Sequence, residues 1–499
     1  MNTYAKFALV AAAVLVVALV GYNLLPASGG VGGPVATPTP TPTPTPPPSP
    51  SQSPKAARWP LGTLLDQRYP ATTPSGVKIS FKPPSKRWYT RPDSIETSGA
   101  PRRAVLIRTL RALDEQLDGR LVIRHGDPAT VVTKVAREVK AEAVHCGDDF
   151  GPYGRQRDQA VRATLEAHDI PLLRTGSPYA VSPGRVHRDA PGTPAYQVYG
   201  AFYRAWQTHG WPAPVAAPNP AWVSARSDGL PRERPLGQVE LPSVGEAAAR
   251  RAWHAFLKDG LADYGRERDH PGADRTSRMS VHLKWGTIHP RTLLADLSPK
   301  DEIYRRELAW REFYAAVLAD RPDSARGYYR PELARMDWDN DEQKLAAWQR
   351  GLTGYPIVDA GMRQLLAEGF MHNRVRMIVA SFLVKDLHIE WTYGARHFMN
   401  HLIDGDLASN SHGWQWVAGC GTDPAPFFRI FNPRTQGKKF DPDGHYVRGY
   451  VPELKGVPDR WIHEPAANPD GMPSGYPEPI VHHAVERIEA LARYQNSRG

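Results

Sequence analysis

Arg, Asp, Asn and Trp are unusually dense inside otherwise apolar helical segments, and these positions hold the chain's chemical potential. Thr276-Ser277-Arg278-Met279-Ser280 falls where the pattern predicts a helix to begin. Hydroxyls and backbone N–H groups at such a start cradle a phosphate or pyrophosphate, or serve simply as helix caps. Glu307 and Trp310 lie three apart on a predicted helix and share a face. A carboxylate beside an exposed indole binds a nucleobase by hydrogen bond and stacking, although the pair also suits the edge of an amphipathic helix. Arg376 lies off the apolar stripe of its helix, and Asp404-Gly405-Asp406 follows later. An Arg–Asp pair there holds the polar edge of a cofactor or forms a structural salt bridge. His482-His483 reads as helix surface rather than as part of a ligand set. There is no G-x-G-x-x-G, Walker A loop, H-E-x-x-H, G-x-S-x-G or paired C-x-x-C, which closes the usual routes to dinucleotide, zinc and acyl chemistry.

The elements that must hold these residues fall into two runs. Leu106, Leu110, Leu113 and Leu117 recur at helical spacing, and Leu121-Val122-Ile123 reads as a buried strand. A helix around Val131 to Val139, a strand Ala143 to Cys146, a helix Gln156 to Ala167 and a strand Leu172-Leu173 follow. Such alternation predicts an α/β domain, a parallel sheet covered by helices. The series opens on a helix, so the strand that should precede it is missing or supplied from elsewhere. A Pro-rich connector spans 211–242, and helices dominate beyond it. Ser243 and Glu246 have capping-box spacing, with Trp253, Phe256, Leu257 and Leu261 on one face behind them. Val375, Ile378, Val379, Phe382 and Leu383 form a second buried stripe. The fold class read here is an incomplete N-terminal α/β domain (101–210) followed by an all-α domain (243–499).

Composition narrows the function classes. Of 499 residues, 41% are hydrophobic and 23% charged, the profile of a folded chain. A formal net charge of +10 favours an anionic partner, nucleic acid or a membrane surface. Cys146 and Cys420 are the only cysteines; two thiols so far apart exclude a disulfide framework and a cysteine metal site, and read as free thiols.

The first hundred residues have a different character. Phe7 to Val20 is an unbroken apolar run reaching on to Leu25, a marginal membrane span or long signal-peptide core within the segment 1–25. The Thr-Pro repeat in 26–58 predicts a stiff polyproline spacer. Val77 to Phe81 alternates as a half-buried strand within an unassigned segment, 59–100.

The stretch Ile403 to Arg429, IDGDLASNSHGWQWVAGCGTDPAPFFR, resembles the signature of the DNA photolyase and cryptochrome family. TGYPIVDAGMRQL from Thr353, MHNRVRMIVASFLVKDLHIEW from Met371, TSRMS and ELAWREFY also occur in the family's order and spacing. The resemblance runs from about Pro101 to the C-terminus and is closest to bacterial cyclobutane pyrimidine dimer photolyases. It implies that the helical domain binds FAD. Tyr264, Thr276, Ser277, Arg278, Met279 and Ser280 would form the pocket for its phosphates and ribose. Arg311, Asp404, Gly405, Asp406 and Asn410 would line the ring and adenine side, with Arg376 paired to Asp404 and Asn410 facing the flavin. Glu307, Trp310, Asn373 and Met377 match the lesion pocket, and Arg268 and Arg429 match DNA contacts. Trp414, Trp391 and Trp338 match an electron-transfer chain running from flavin to surface. The implied activity is blue-light-driven repair of cyclobutane dimers in damaged DNA, by a cytoplasmic monomer with no metal and no protein partner.

The chain departs from the family at its front. The family's opening W-F-R-x-D-L-R type strand is absent and residues 1–99 replace it, as in a fusion or a truncated copy, with a possible membrane tether through 7–25. Phe150 to Arg155 lacks the Asn-Glu pair of a folate antenna, so a deazaflavin, or no antenna, is expected. Two rivals stand beside repair: a cryptochrome-like photoreceptor, and an inactive DNA-binding remnant. Glu307, Trp310, Met377 and Asn410 favour repair. Met377, with no His pair near Asn373, favours the cyclobutane over the (6-4) lesion.

Overall fold

The computed structural model describes residues 71–72, 78–79, 99–187, 194–216, 220–237, 239–423 and 428–497. Residues 7–25 and the Thr-Pro spacer lie outside them. Among the described residues no helix is long and apolar enough to cross a membrane.

The α/β part is small. Helix α1 (Ala100–Gln116) opens on a proline in its first turn, where the missing N–H is not needed. Helices α2 (Pro128–Glu138) and α3 (Pro152–Glu166) alternate with strands β3 (Val144–Cys146) and β4 (Leu172–Arg174), which pair in parallel, Val144 opposite Leu172. Ala136, Val161, Leu165, Ile170 and Leu172 close a compact apolar cluster between helices and ladder. The strand predicted at Leu121-Val122-Ile123 does not form. All three residues are buried, but no described strand lies beside them. Their backbone groups turn to the connector instead: the Ile123 N–H donates to Ser227 Oγ at 3.0 Å, and its carbonyl accepts from the Asp228 N–H at 2.8 Å. Buried backbone groups must find partners somewhere. Nor does Lys78–Ile79 (β2) fill the gap. It pairs antiparallel with Ala71–Thr72 (β1) as a separate ladder.

Helix α4 (Tyr199–His209) ties this part to the helical remainder. That remainder contains α5 (Glu246–Asp259), α6 (Tyr264–Glu267), α7 (Met279–Trp285), α8 (Pro290–Asp296), α9 (Glu302–Asp320) and α10 (Glu342–Arg350). It continues with α11 (Pro356–Glu368), α12 (Asn373–Lys385), α13 (Trp391–His401), α14 (Leu407–Ala418), α15 (Pro433–Phe440), α16 (His445–Tyr450) and α17 (His483–Asn496). α11 is buried almost throughout, its polar Asp359, Arg363 and Gln364 each held by hydrogen bonds, and α12 packs beside it in the largest core cluster. The joint between the two parts is a buried carboxylate on α9. Glu312 accepts from the Trp206 indole at 2.6 Å and from the Ala180 and Val181 N–H groups. Burial pushes its pKa up, and these hydrogen bonds pull against that rise.

Two local expectations change. The cap of α5 is Gly245 at φ 92°, with no side-chain hydrogen bond, rather than a Ser243 capping box. A Cβ there would meet Ala112 at 2.7 Å, so close approach to α1, together with positive φ, selects glycine. His483 is not helix surface: it is buried, with Nδ1 2.5 Å from Asp386.

Candidate cofactor and lesion site

The centre of the site is Asp404, just before α14. It is buried, and its Oδ2 accepts from Ser280 Oγ on α7 at 2.7 Å and from Arg376 Nη2 on α12 at 2.8 Å. Its other oxygen, Oδ1, is buried without a partner. Three segments far apart in sequence thus converge on one carboxylate with an acceptor to spare. Arg376 is further held by the Met371 carbonyl at 2.8 Å, so its direction is fixed. Gly405 lies against the Arg102 guanidinium, where a Cβ would come within 2.6 Å.

Around this centre the other expected residues take distinct places. Arg278, at φ 51°, precedes α7 and pairs with Asp274 and Glu368 while lying over the Phe370 ring. Ser277 Oγ is 2.8 Å from the Tyr304 hydroxyl, and Thr276 is half-buried beside it. Tyr264 is buried among Phe256 and Tyr304. The Met279 side chain turns into the core, and its N–H donates to Ser277 Oγ at 3.3 Å. Arg311 donates to the Pro178 and Leu283 carbonyls and covers Tyr179. Asp406 caps α14 through the Ser409 N–H at 2.8 Å. Burial would raise the Asp406 carboxyl, but Lys284 and Arg311 hold it below its ordinary range. Asn410 donates from Nδ2 to the Ala395 carbonyl at 2.9 Å.

Glu307 on α9 is paired to Arg268 at 2.6 Å, and both side chains are partly open to solvent. One helical turn on, Trp310 is half-buried rather than exposed, because Tyr199 stacks flat on one face at 3.6 Å between centroids and 7° between planes. Asn373 begins α12 and is exposed; Met377, one turn further, touches Arg374. Among the described residues no group of His, Cys, Asp and Glu is arranged to hold a metal ion.

Trp391 and Trp414 belong to the largest core cluster, and Trp338 packs against it. Trp414 lies on the backbone of α13 at Gly394, where a Cβ would meet its ring at 2.1 Å. It meets Phe398 edge-on at 5.0 Å.

Composition and motif reading missed a cleft lined in part by Lys385, Trp416, Phe428 and Arg429. Trp416 and Trp414 are two apart on α14, hence on opposed faces, one toward the cleft and one into the core. The W-x-W spacing, which puts two indoles on opposed faces of one helix, was the available signal. The Lys385 amine donates to the Arg429 carbonyl, and burial lowers its pKa to about 7. Trp416 donates to the Asp423 carbonyl at 3.1 Å, and Asp423 accepts from the Tyr199 N–H at 3.0 Å, which links this cleft to the Trp310 stack.

A buried carboxylate fixed by Arg376 and Ser280 with one oxygen left over, and apart from it a Trp310–Tyr199 stack beside the Glu307–Arg268 pair, is the arrangement of a cofactor-dependent enzyme with a separate place for a planar substrate. The comparisons give the family. Residues 86–221 match the family model described as DNA photolyase, and residues 304–496 match the FAD binding domain of DNA photolyase. A deoxyribodipyrimidine photo-lyase of Streptomyces griseus is 41% identical, over 82% of this chain and 92% of its own length. One from Halobacterium salinarum is 40% identical, over 80% and 89%. In solved structures, a class III photolyase from Agrobacterium tumefaciens superposes at a TM-score of 0.73 with 35% identity, covering 80% of this chain and 89% of that one. An archaeal photolyase from Sulfolobus tokodaii with two FAD molecules superposes at 0.70 with 31% identity, over 80% and 89%. This chain belongs to the DNA photolyase family.

Proposed function

We propose that this protein uses bound FAD and blue light to split cyclobutane pyrimidine dimers in DNA. The observation that carries the reading is the Asp404 centre, in a chain about 40% identical to deoxyribodipyrimidine photo-lyases over most of its length. A buried acceptor without a partner costs about 1–3 kcal/mol, so Oδ1 calls for an N–H donor, which the polar edge of a flavin ring presents. Arg376 and Ser280 hold the carboxylate in place, Asn410 closes the opposite side, and the hydroxyls of Thr276 and Ser277 with Arg278 would receive the phosphates. Arg311 and Asp406 complete the wall. When bound and reduced at these residues, FAD would supply the blue-light-driven electron that the lesion takes up.

The remaining work falls to the chain. Photolyases are among the enzymes known to flip their target nucleotides out of the duplex. Arg268, Arg429 and the +10 net charge favour the DNA backbone. The open face of Trp310 and the side chain of Met377 receive the flipped dimer, and Asn373 lies at the rim. Glu307 accepts a pyrimidine N–H and orients the dimer. Arg268 brings positive charge to the anion formed when the dimer takes up an electron. The two cyclobutane C–C bonds then break, and the restored pyrimidines return the electron to the cofactor site from which it came. Trp414, Trp391 and Trp338 form the path that refills the cofactor site from solvent. The protein acts on the chromosome as a monomer, and its antenna, if one binds, is a deazaflavin rather than a folate. Blue light should restore thymines in a dimer-containing oligonucleotide with the purified protein, and darkness should not; equal yields in light and dark would refute the reading.

A further inference from the structure

Tyr328 occupies a position that the repair chemistry above leaves without a role. It lies in the loop between α9 and α10, and the backbone that follows it is pinned to the C-terminal end of α14. The Tyr329 N–H donates to Gln415 Oε1 at 2.7 Å, and the Arg330 N–H donates to the Cys420 carbonyl at 2.9 Å. The phenol ring is thereby held edge-on to Trp391, with centroids 5.8 Å apart and planes at 82°. Among the described residues this is the one close ring contact of Trp391. Trp338 and Trp414 share its cluster without stacking on it. The indole N–H of Trp338 approaches the same phenol oxygen closely enough to lower its pKa, without a well-formed hydrogen bond.

The phenol also has an outlet for its proton. Its hydroxyl donates to Glu390 Oε1 at 2.9 Å, and Glu390 immediately precedes Trp391. That carboxylate is fixed on both sides: Thr392 donates to Oε2 at 2.9 Å, and the Glu390 N–H donates to Asn340 Oδ1 at 3.0 Å. No arginine or lysine is paired with it among the described residues. Burial first, and then the Glu390 charge, push the phenol's pKa well above its ordinary value. Tyr328 is therefore protonated at rest and can lose an electron easily only if its proton leaves at once.

We infer that Tyr328 is a redox-active member of the electron path, oxidised by the Trp391 radical cation with transfer of its proton to Glu390. This rests on the electron-path reading of the three tryptophans. The oxidant is the photoexcited oxidised flavin, which takes one electron from Trp391 by way of Trp414. Tyr328 then gives one electron to Trp391, restoring the neutral indole. The phenol O–H bond breaks, an O–H bond forms on Glu390, and a neutral tyrosyl radical remains. Because the proton has moved, return of the electron must wait for the proton, so the hole is trapped between the middle and outer tryptophans.

Freeze-trapped EPR and transient absorption of the flavin-loaded, oxidised protein after a blue flash test this. Wild-type protein should show a tyrosyl signal that forms more slowly in D2O. Tyr328→Phe should lose it while the tryptophanyl signal persists, and Glu390→Gln should slow its formation with both rings in place. Trp391→Phe should lose both radicals. A tyrosyl signal unchanged in Tyr328→Phe, or tryptophanyl radicals with no tyrosyl in wild type, would overturn the assignment. No amino-acid radical of either kind in wild type would instead sink the tryptophan path, and Tyr328 with it.

Discussion

At the residue scale two carboxylates divide the work. Asp404 has no solvent to fall back on, and its two donors hold it for a cofactor; Asp404→Ala leaves Arg376 facing a vacated buried site. Flavin retention should weaken roughly 100-fold, about 3 kcal/mol for a broken buried pair, read as the flavin-to-protein absorbance ratio after gel filtration. Glu307 is partly open and, on the proposed reading, serves the substrate, so Glu307→Ala should leave flavin content unchanged. Repair per absorbed photon should fall about tenfold, in keeping with a charge-assisted hydrogen bond worth about 1.5–3 kcal/mol. An unchanged repair yield would remove Glu307 from the lesion pocket. Much at this scale was legible in advance, since Arg376, Asp404 and Ser280 were all singled out, although only the fold shows that they meet on one oxygen. Trp416 and Tyr328 escaped because their significance depends on what lies across a gap: a cleft for one, Trp391 and Glu390 for the other.

At the element scale, helix contacts place the tryptophans proposed to carry electrons. Gly394 lets Trp414 of α14 rest on the backbone of α13, with Leu383 of α12 against the same spot. Gly394→Ala should cost about 1–3 kcal/mol by overpacking and displace the indole. A lowered melting temperature together with slower photoreduction of the flavin is the expected pair of outcomes. A variant as stable and as fast as wild type would show that the approach is not tight. Helices were the legible elements, because their apolar stripes at 375–383 and 253–257 are long and regular. Leu121 to Ile123 failed as a strand because three apolar residues report burial, not pairing, and a ladder depends on a neighbour that local sequence does not contain. The α5 cap failed for a similar reason: Ala112, far away in the chain, selects Gly245.

At the scale of the whole molecule, buried histidines set an acid limit. Burial, first among the causes, pushes His372 and His412 down to about 4 and His397 well below its ordinary value. Each stays neutral in the fold while the unfolded chain takes up its proton near pH 6.5. Stability is thus fully present above about pH 6.5 and is lost as the pH falls toward 4, on the order of 3 kcal/mol for each of His372 and His412. Denaturant titrations at stepwise lower pH should show this decline beginning above pH 5, and a flat profile there would contradict it. The division into an α/β part and a helical part was legible from the change in periodicity near 211. The buried Glu312 joint between them was not, since a lone glutamate in an apolar helix gives no sign of its partners.

The central claim is that light, through this protein, reverses a covalent lesion in DNA. Its most direct test is to irradiate the purified full-length chain with an oligonucleotide containing one thymine dimer and to count restored thymines against a dark control. Bound FAD with light-dependent restoration is the predicted result. Bound, photoreducible FAD with every dimer intact would contradict the account and point to a photoreceptor.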